Sequence, residues 1–183
     1  LVRGEVTLIS VTIPEGSNLF DIARILEHAG LTPSAAVLRT ATDGEFARSM
    51  GLADNGTMEG FLFPDTYKFC RSMPLEQMLA RMAVRFRDIF ARELQAEAGP
   101  GMLGPRELVV LASLVEKEAA DPSERAVIAG VFYNRLKLGM RLDCDPTVAY
   151  GVRLEDPSFK GRLRKTHLLA ANSYNTYQIK GLP

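Results

Sequence analysis

The stretch LASLVEKEAADPSER, residues 111–125, places two glutamates in an apolar helical run and then supplies the signals that start another helix. Upstream, Pro105 suits the first turn of a helix, where its missing N–H removes no hydrogen bond. The DPSE sequence at 121–124 offers a capping side chain, a first-turn proline and an acid at the third position. The pattern predicts two consecutive helices packed as antiparallel neighbours, the second of which ends near Gly139.

The two glutamates of this stretch, Glu116 and Glu118, lie about 160° apart around the predicted helix. They therefore cannot converge on one substrate bond as a pair of catalytic carboxylates. Glu118 falls beside Leu111 and Leu114, at the edge of the apolar stripe. Burial there would help a carboxylic acid to keep its proton, because it disfavours the charged form. The alternative is that both are surface carboxylates with ordinary ion pairs, and periodicity does not decide between the two.

The N-terminal half predicts a strand, several helices and an extended aromatic segment. The β-branched run GEVTLISVTIP ends at Pro14 and predicts a strand, and a helix capped by Asn18 and stopped by Gly30 follows it. One short helix is predicted within residues 34–51. The aromatic stretch FLFPDTYKF is expected to be extended with a Pro-Asp turn, and a long amphipathic helix follows Pro74.

The C-terminal part shows weaker patterns. Residues 140–151, MRLDCDPTVAYG, are expected to be extended and turn-like. The last quarter, residues 152–183, is polar and predicts mostly loop and short strand. Together with the N-terminal half, these elements predict an α+β fold dominated by helices.

Composition narrows the classes of function. Lysine plus arginine equals aspartate plus glutamate at 22 each, so no overall charge attracts nucleic acid. The apolar runs are much shorter than the roughly 20 residues of a membrane-spanning helix. Cys70 and Cys144 have no C-x-x-C spacing and no nearby histidine cluster, which argues against a zinc site. No metal and no cofactor is expected. A disulfide between the two cysteines is possible, but free thiols are favoured.

Four stretches carry a family resemblance: EGFLFPDTYKF, ASLVEKEA, SERAVIAGVFYNRLKLGMRLDCDPTVAYG and SYNTYQIKGLP. In this order, from about Ile13 to the last residue, they resemble the YceG-like family of endolytic murein transglycosylases. The resemblance implies the tail of a small LysM-like α/β subdomain at 1–14 and a C-terminally truncated catalytic domain at 15–183. It also implies one membrane helix ahead of this chain, which would anchor the intact protein at the periplasmic, extracytoplasmic face of the inner membrane.

The resemblance further implies that Glu118, the second glutamate of the E-K-E run, is catalytic. In a lytic transglycosylase the C6 hydroxyl of N-acetylmuramic acid attacks the sugar, so one residue serves as acid and then as base. The implied reaction is endolytic cleavage of the β-1,4 bond between N-acetylmuramic acid and N-acetylglucosamine. It leaves 1,6-anhydro ends and would terminate growing strands. Peptidoglycan strands are the expected substrate, with peptidoglycan synthases as candidate partners.

The predicted substrate-binding residues carry groups suited to sugars and carboxylates: Asn134, Arg135, Arg141, Asp145, Tyr174, Asn175 and Thr176. The first three could equally bridge helices. Asp145 either contacts sugar or caps backbone amides in a turn that lines the cleft. The segment at 174–177 resembles the Tyr-Asn element of other lytic transglycosylases, and a purely structural turn is its alternative.

Two other classes of function compete with this interpretation. The sequence DCDPT at 143–147 fits the D-x-D-x-T pattern of magnesium-dependent phosphatases, but no buried strand is predicted before it and no downstream acidic pair completes a metal site. The non-enzyme alternative is a peptidoglycan-binding or division-complex scaffold that retains the fold without turnover.

Overall fold

The computed structural model describes residues 7–52, 56–93 and 103–183. The chain divides into two compact units, Leu1–Met102 and Leu103–Pro183. The described elements of the first unit are β1 (Leu8–Thr12), α1 (Leu19–His28), α2 (Ser34–Ala41), α3 (Gly44–Ser49), β2 (Thr66–Cys70) and α4 (Leu75–Glu93). Those of the second are α5 (Pro105–Glu118), a 3-10 turn (Pro122–Glu124), α6 (Arg125–Lys137), α7 (Asp145–Glu155) and α8 (Lys165–Leu169).

The two strands form an antiparallel sheet. Ile9 pairs with Phe69 and Val11 with Tyr67, so alternate side chains face the core, where Phe69 is fully buried. The backbone N–H of Ile13 donates to the carbonyl of Asp65 (3.0 Å), which extends the pairing towards the Pro-Asp turn. The predicted strand before Pro14 and the predicted extended aromatic segment are therefore confirmed.

The first helices follow local capping signals. Asn18 and Asp21 form a capping box at the start of α1, and Gly30 follows the end of the helix with φ of +67°. The single short helix expected within 34–51 is wrong, because α2 and α3 are separate helices. Asp43 Oδ1 accepts from the N–H of Glu45 (2.8 Å) and of Phe46 (3.1 Å), which starts a new helix.

The core of the first unit is built from helix faces and the sheet. Met78 and Met82 lie on the buried face of α4 and fill space in this core. The largest buried side chains of this unit are Leu26, Val37, Met58, Phe69, Met78, Leu79 and Met82.

The second unit begins with the predicted helix pair. Pro105 opens α5, and α6 follows the 3-10 turn whose cap is Asp121. The two helices pack on each other, and α6 ends at Lys137, shortly before Gly139 at φ +64°. The buried core of this unit comprises Leu111, Leu114, Val115, Phe132, Leu142 and Cys144.

Two expectations for the C-terminal part are wrong. Residues 140–151 were expected to be extended, but α7 starts at Asp145 with Pro146 in its first turn. An Asp-Pro pair suits both a turn and a helix start, and burial of Val148 favours the helix here. Residues 152–183, all of which are described, contain α8 and turns but no strand.

The observed architecture is helix-rich with a small two-stranded sheet, which agrees with the predicted α+β class. The LysM-like assignment of residues 1–14 and the boundary with 15–183 stay predictions. Across the described ranges, no helix combines the length and the apolar character that a bilayer span requires.

Candidate active site

Glu118 is the last residue of α5. The helix ends there because Ala119 adopts extended backbone angles, with φ of −72° and ψ of 116°. The residue is exposed, although Leu114 and Val115 in the preceding turn are buried. The expectation that the apolar edge of the helix withdraws Glu118 from water is therefore wrong. No further helical turn follows that would cover the side chain.

Glu116 has a different environment, as the helical geometry predicted. Its Oε2 forms an ion pair with Arg125 Nη2 at 3.0 Å, and both side chains are partly exposed. The pair links the last turn of α5 to the start of α6. Such an exposed pair contributes little to stability, typically less than about 1 kcal/mol.

Cys144, the residue before α7, contacts Glu118 directly. Its thiol donates to Glu118 Oε1, with an Sγ–Oε1 distance of 3.2 Å. Cys144 itself is 1% exposed. Burial, and then the hydrogen bond and negative charge of Glu118, raise the pKa of the Cys144 thiol well above its ordinary value. The thiol therefore stays protonated and acts as a donor.

A buried hydroxyl network holds Cys144 in place. The N–H of Cys144 donates to Thr176 Oγ1 (3.0 Å), and Thr147 Oγ1 donates to the carbonyl of Cys144 (2.7 Å). The two threonine hydroxyls also share a hydrogen bond of 2.9 Å. Since both threonines are buried, the network fixes the backbone that carries the thiol.

Asn175 and Thr176 are fully buried. The Asn175 amide nitrogen donates to three backbone carbonyls in and after α8, and its Oδ1 accepts from the N–H of Tyr177 (3.1 Å). Both side chains therefore fix the backbone of this segment, as the predicted structural turn would. Their contact with substrate stays a prediction.

Tyr174 and Tyr177 flank the buried Asn175 and Thr176 in the sequence. The Tyr177 hydroxyl donates to Asp145 Oδ1 (2.8 Å). Burial and then this bond raise the pKa of Tyr177 to about 12, so the phenol keeps its proton. Tyr174 packs edge-on against Tyr150, with ring centroids 5.2 Å apart. Asp145 remains exposed and Tyr174 partly exposed.

The three residues at the end of α6 and beyond it have different roles. Arg135 Nη1 donates to the carbonyl of Leu142 (2.6 Å) and lies 3.6 Å from Asp143 Oδ2. It therefore holds the loop before α7, where Asp143 has a positive φ of 51°. Asn134 and Arg141 are exposed, and their contact with substrate stays a prediction.

The structure thus brings Glu118 and Thr176 together through Cys144, with Asp145 adjoining in sequence. Sequence reasoning missed Cys144 as part of this group, whereas Thr147 and Tyr177 lie in the predicted turn at the cleft and in the Tyr-Asn element without an assigned role. Their signal was present, because all three lie in the quoted family stretches, but a cysteine next to a predicted turn was interpreted only as a free thiol.

Comparison with known proteins places this geometry in a family. The model of the YceG-like family matches residues 1–183. An endolytic murein transglycosylase of Bacillus subtilis (strain 168) is 29% identical over 185 residues, covering 94% of this chain and 50% of the relative. One from Streptococcus pneumoniae serotype 2 (strain D39 / NCTC 7466) is 29% identical over 206 residues, covering 97% and 36%.

A crystal structure of a yceG-like protein from Listeria monocytogenes has the same fold. It matches with a TM-score of 0.82 at 32% identity, over 96% of this chain and 60% of that chain. This chain spans half or less of the length of the two curated relatives. The family match over the whole chain and the shared fold show that the protein is a member of the YceG-like family.

Proposed function

We propose that this chain carries the active site of a peptidoglycan lytic transglycosylase, with Glu118 as its acid and base. The observation that carries the proposal is the state of this carboxyl group. It is exposed, Cys144 holds Oε1, and within the described ranges no group bonds to Oε2. One carboxyl oxygen is thus available to exchange a proton with a glycan. The family relatives named endolytic murein transglycosylases supply the class of reaction.

One carboxyl group is sufficient for the proposed reaction. Protonated Glu118 gives its proton to the glycosidic oxygen while the bond from that oxygen to C1 of N-acetylmuramic acid breaks. The C6 hydroxyl of the same sugar then bonds to C1 and returns its proton to the carboxylate. The products are an N-acetylglucosamine with a free 4-hydroxyl and a 1,6-anhydro end, and no water is consumed. Glu118 is regenerated in its acid form.

The remaining polar groups support this assignment in two ways. Asn134, Arg141, Asp145 and Tyr174 have the exposure that contact with sugar or stem-peptide carboxylates requires. Arg135, Asn175 and Thr176 shape the backbone that carries Cys144 and Asp145. In the intact protein we place the reaction at the extracytoplasmic face of the cell membrane, where glycan strands are built. Cleavage there would end strand growth, with peptidoglycan synthases as partners.

Digestion of purified sacculi by the full-length protein tests the proposal. Product analysis by liquid chromatography and mass spectrometry should show 1,6-anhydro ends with the wild type and none with Glu118→Gln. The amide retains the size of the side chain but cannot donate an acidic proton. Glu116→Gln is the matched control two residues away, and it should remain within about twofold of wild type because it removes only a surface ion pair.

Three results would contradict the proposal. Anhydro ends that persist in Glu118→Gln would remove the residue from the mechanism. Reducing ends in place of anhydro ends would show hydrolysis by water. Sacculi left intact by the folded wild type would favour the scaffold alternative.

A further inference from the structure

The thiol of Cys144 lies against the carboxyl group that the proposed function uses. We propose that Cys144 is a positioning residue for Glu118: its thiol binds Oε1 and leaves Oε2 as the oxygen that gives and takes the proton. This inference rests on the proposed function and assigns a different role to each of the two carboxyl oxygens. Its basis is the Sγ–Oε1 hydrogen bond of 3.2 Å between residues 26 positions apart.

The direction of the thiol is fixed by the fold. The backbone of Cys144 is bonded on both sides to buried threonine hydroxyls, at 3.0 Å from its nitrogen and 2.7 Å from its oxygen. Its side chain belongs to the core cluster that includes Leu111, Leu114 and Leu142. Glu118, by contrast, is an exposed side chain with several rotatable bonds. A bond from a rigid donor restricts this flexible acid and reduces the entropy that must be lost in the transition state.

The chemistry of the bond assigns the two oxygens. The thiol donates to Oε1, so in the proposed reaction Oε2 is the oxygen left to carry the transferred proton. When Glu118 has protonated the leaving oxygen, the bond becomes charge-assisted and therefore stronger. The thiol then stabilises the carboxylate that develops during bond cleavage, and it does so without reorienting.

The competing explanation is that Cys144 only fills space as a small apolar side chain. The two explanations rank the same pair of substitutions in opposite order. Serine keeps a donor but puts a hydroxyl among leucines, whereas alanine stays apolar but has no donor. A packing role makes alanine the better substitute, because burying an unpartnered hydroxyl is costly. A donor role makes serine the better one.

The test measures release of anhydro products by full-length Cys144→Ala, Cys144→Ser and Cys70→Ala as a function of substrate concentration. We expect kcat to fall about tenfold in Cys144→Ala, while KM stays within about twofold of wild type. A tenfold fall corresponds to the loss of one hydrogen bond to a charged group. Cys144→Ser should stay within about threefold of wild type. Cys70→Ala, which changes the other free thiol, should behave as wild type.

Two readouts separate positioning from packing: a fall in kcat at nearly constant KM in Cys144→Ala, and recovery of most of that kcat in Cys144→Ser. A purely structural loss would not be recovered by a buried hydroxyl. Thermal unfolding shows whether each variant is folded. If Cys144→Ala does not fold, the inference is tested by Cys144→Ser alone. A folded Cys144→Ser whose kcat is tenfold below wild type overturns the inference.

The outcomes also separate this inference from the proposed function. Activity of Cys144→Ala equal to wild type, or higher than that of Cys144→Ser, overturns the role of Cys144 while the Glu118 assignment stands. Wild-type protein that makes no anhydro ends, or Glu118→Gln that still makes them, overturns the proposed function itself.

Discussion

Cys70 and Cys144 are both free thiols, as the sequence favoured, but their surroundings differ. Cys70 is partly exposed, and its Sγ lies 3.4 Å from the Ser72 hydroxyl. The hydrogen bond with Ser72 is the main cause that lowers the pKa of the Cys70 thiol. Cys144 is buried, and its pKa is raised. Since the thiolate is the reactive form, the two residues should differ strongly in reactivity.

We expect iodoacetamide at pH 8 to alkylate Cys70 faster than Cys144 by on the order of a hundredfold in the folded protein. Peptide mass spectrometry over a time course measures the two rates separately. In denaturant the rates should converge, because both environments are lost. Equal rates in the folded protein would mean that Cys144 is accessible to reagent, contrary to its position in the core.

At the scale of elements, α7 and the C-terminal segment approach each other closely at Gly151. A Cβ atom at this position would lie 2.6 Å from Asn172 Oδ1 and 2.9 Å from Tyr174 Cβ. Asn172 Oδ1 also accepts from the N–H of Tyr174 (2.8 Å), so it is not free to move away. Only glycine allows this helix to pack against the turn that leads to Asn175 and Thr176.

Gly151→Ala should therefore lower the free energy of unfolding by about 1–3 kcal/mol, the usual cost of overpacking. Gly130→Ala in α6 is the matched control, because nothing lies within 4 Å of its added methyl group. There the better helix propensity of alanine should stabilise by up to about 1 kcal/mol. Urea denaturation followed by circular dichroism measures both. Equal effects of the two substitutions would contradict the close approach at Gly151.

At the scale of the whole molecule, ionisable groups set the pH range of stability. Among the residues that the structure describes, four carboxyl groups have lowered pKa values, in each case mainly through a hydrogen bond from a neighbouring hydroxyl or amide: Glu27, Asp65, Asp121 and Asp156. Burial raises the pKa of Tyr67 and of Tyr177 to about 12. Both units contain groups of each kind.

These pKa shifts predict that stability is nearly constant over a middle range of pH and falls at both acid and alkaline pH. The carboxyl contributions are complete above the ordinary values of 3.8 for aspartate and 4.5 for glutamate and are lost as the pH falls through the lowered values. The tyrosine contributions are complete below 10.0 and are lost as the pH rises to about 12. Urea midpoints measured across this range should be nearly constant between about pH 5 and 9.

Tyr67→Phe provides the control for the alkaline side. It removes one titrating group, so the fall in stability above pH 10.0 should become shallower. It also removes the hydrogen bond from the Tyr67 hydroxyl to the Phe63 carbonyl (2.6 Å), so the stability should be lower than that of wild type at every pH. A steep loss of stability near pH 8, where none of these shifted groups titrates, would contradict the account.

Local signals in the sequence determined where most helices begin. The Asn18 capping box, Pro105 and the Asp121 cap each act within one turn, so neighbouring residues are sufficient to specify them. The same kind of signal at Asp145 was ambiguous, since Asp-Pro suits a turn as well as a helix start. Packing of α7 against the rest of its unit decided that case.

The sequence by itself determined that Glu116 and Glu118 point in different directions, because helical periodicity fixes that angle. The family resemblance also placed Asp145 and the segment at 174–177 in one predicted site. Only the tertiary structure decided that Glu118 is exposed, that Cys144 is its partner and that Asn175 and Thr176 are buried. The physical reason is distance along the chain. The thiol and its carboxylate are 26 residues apart, and the hydrophobic pattern of either segment does not show which distant residue will pack against it.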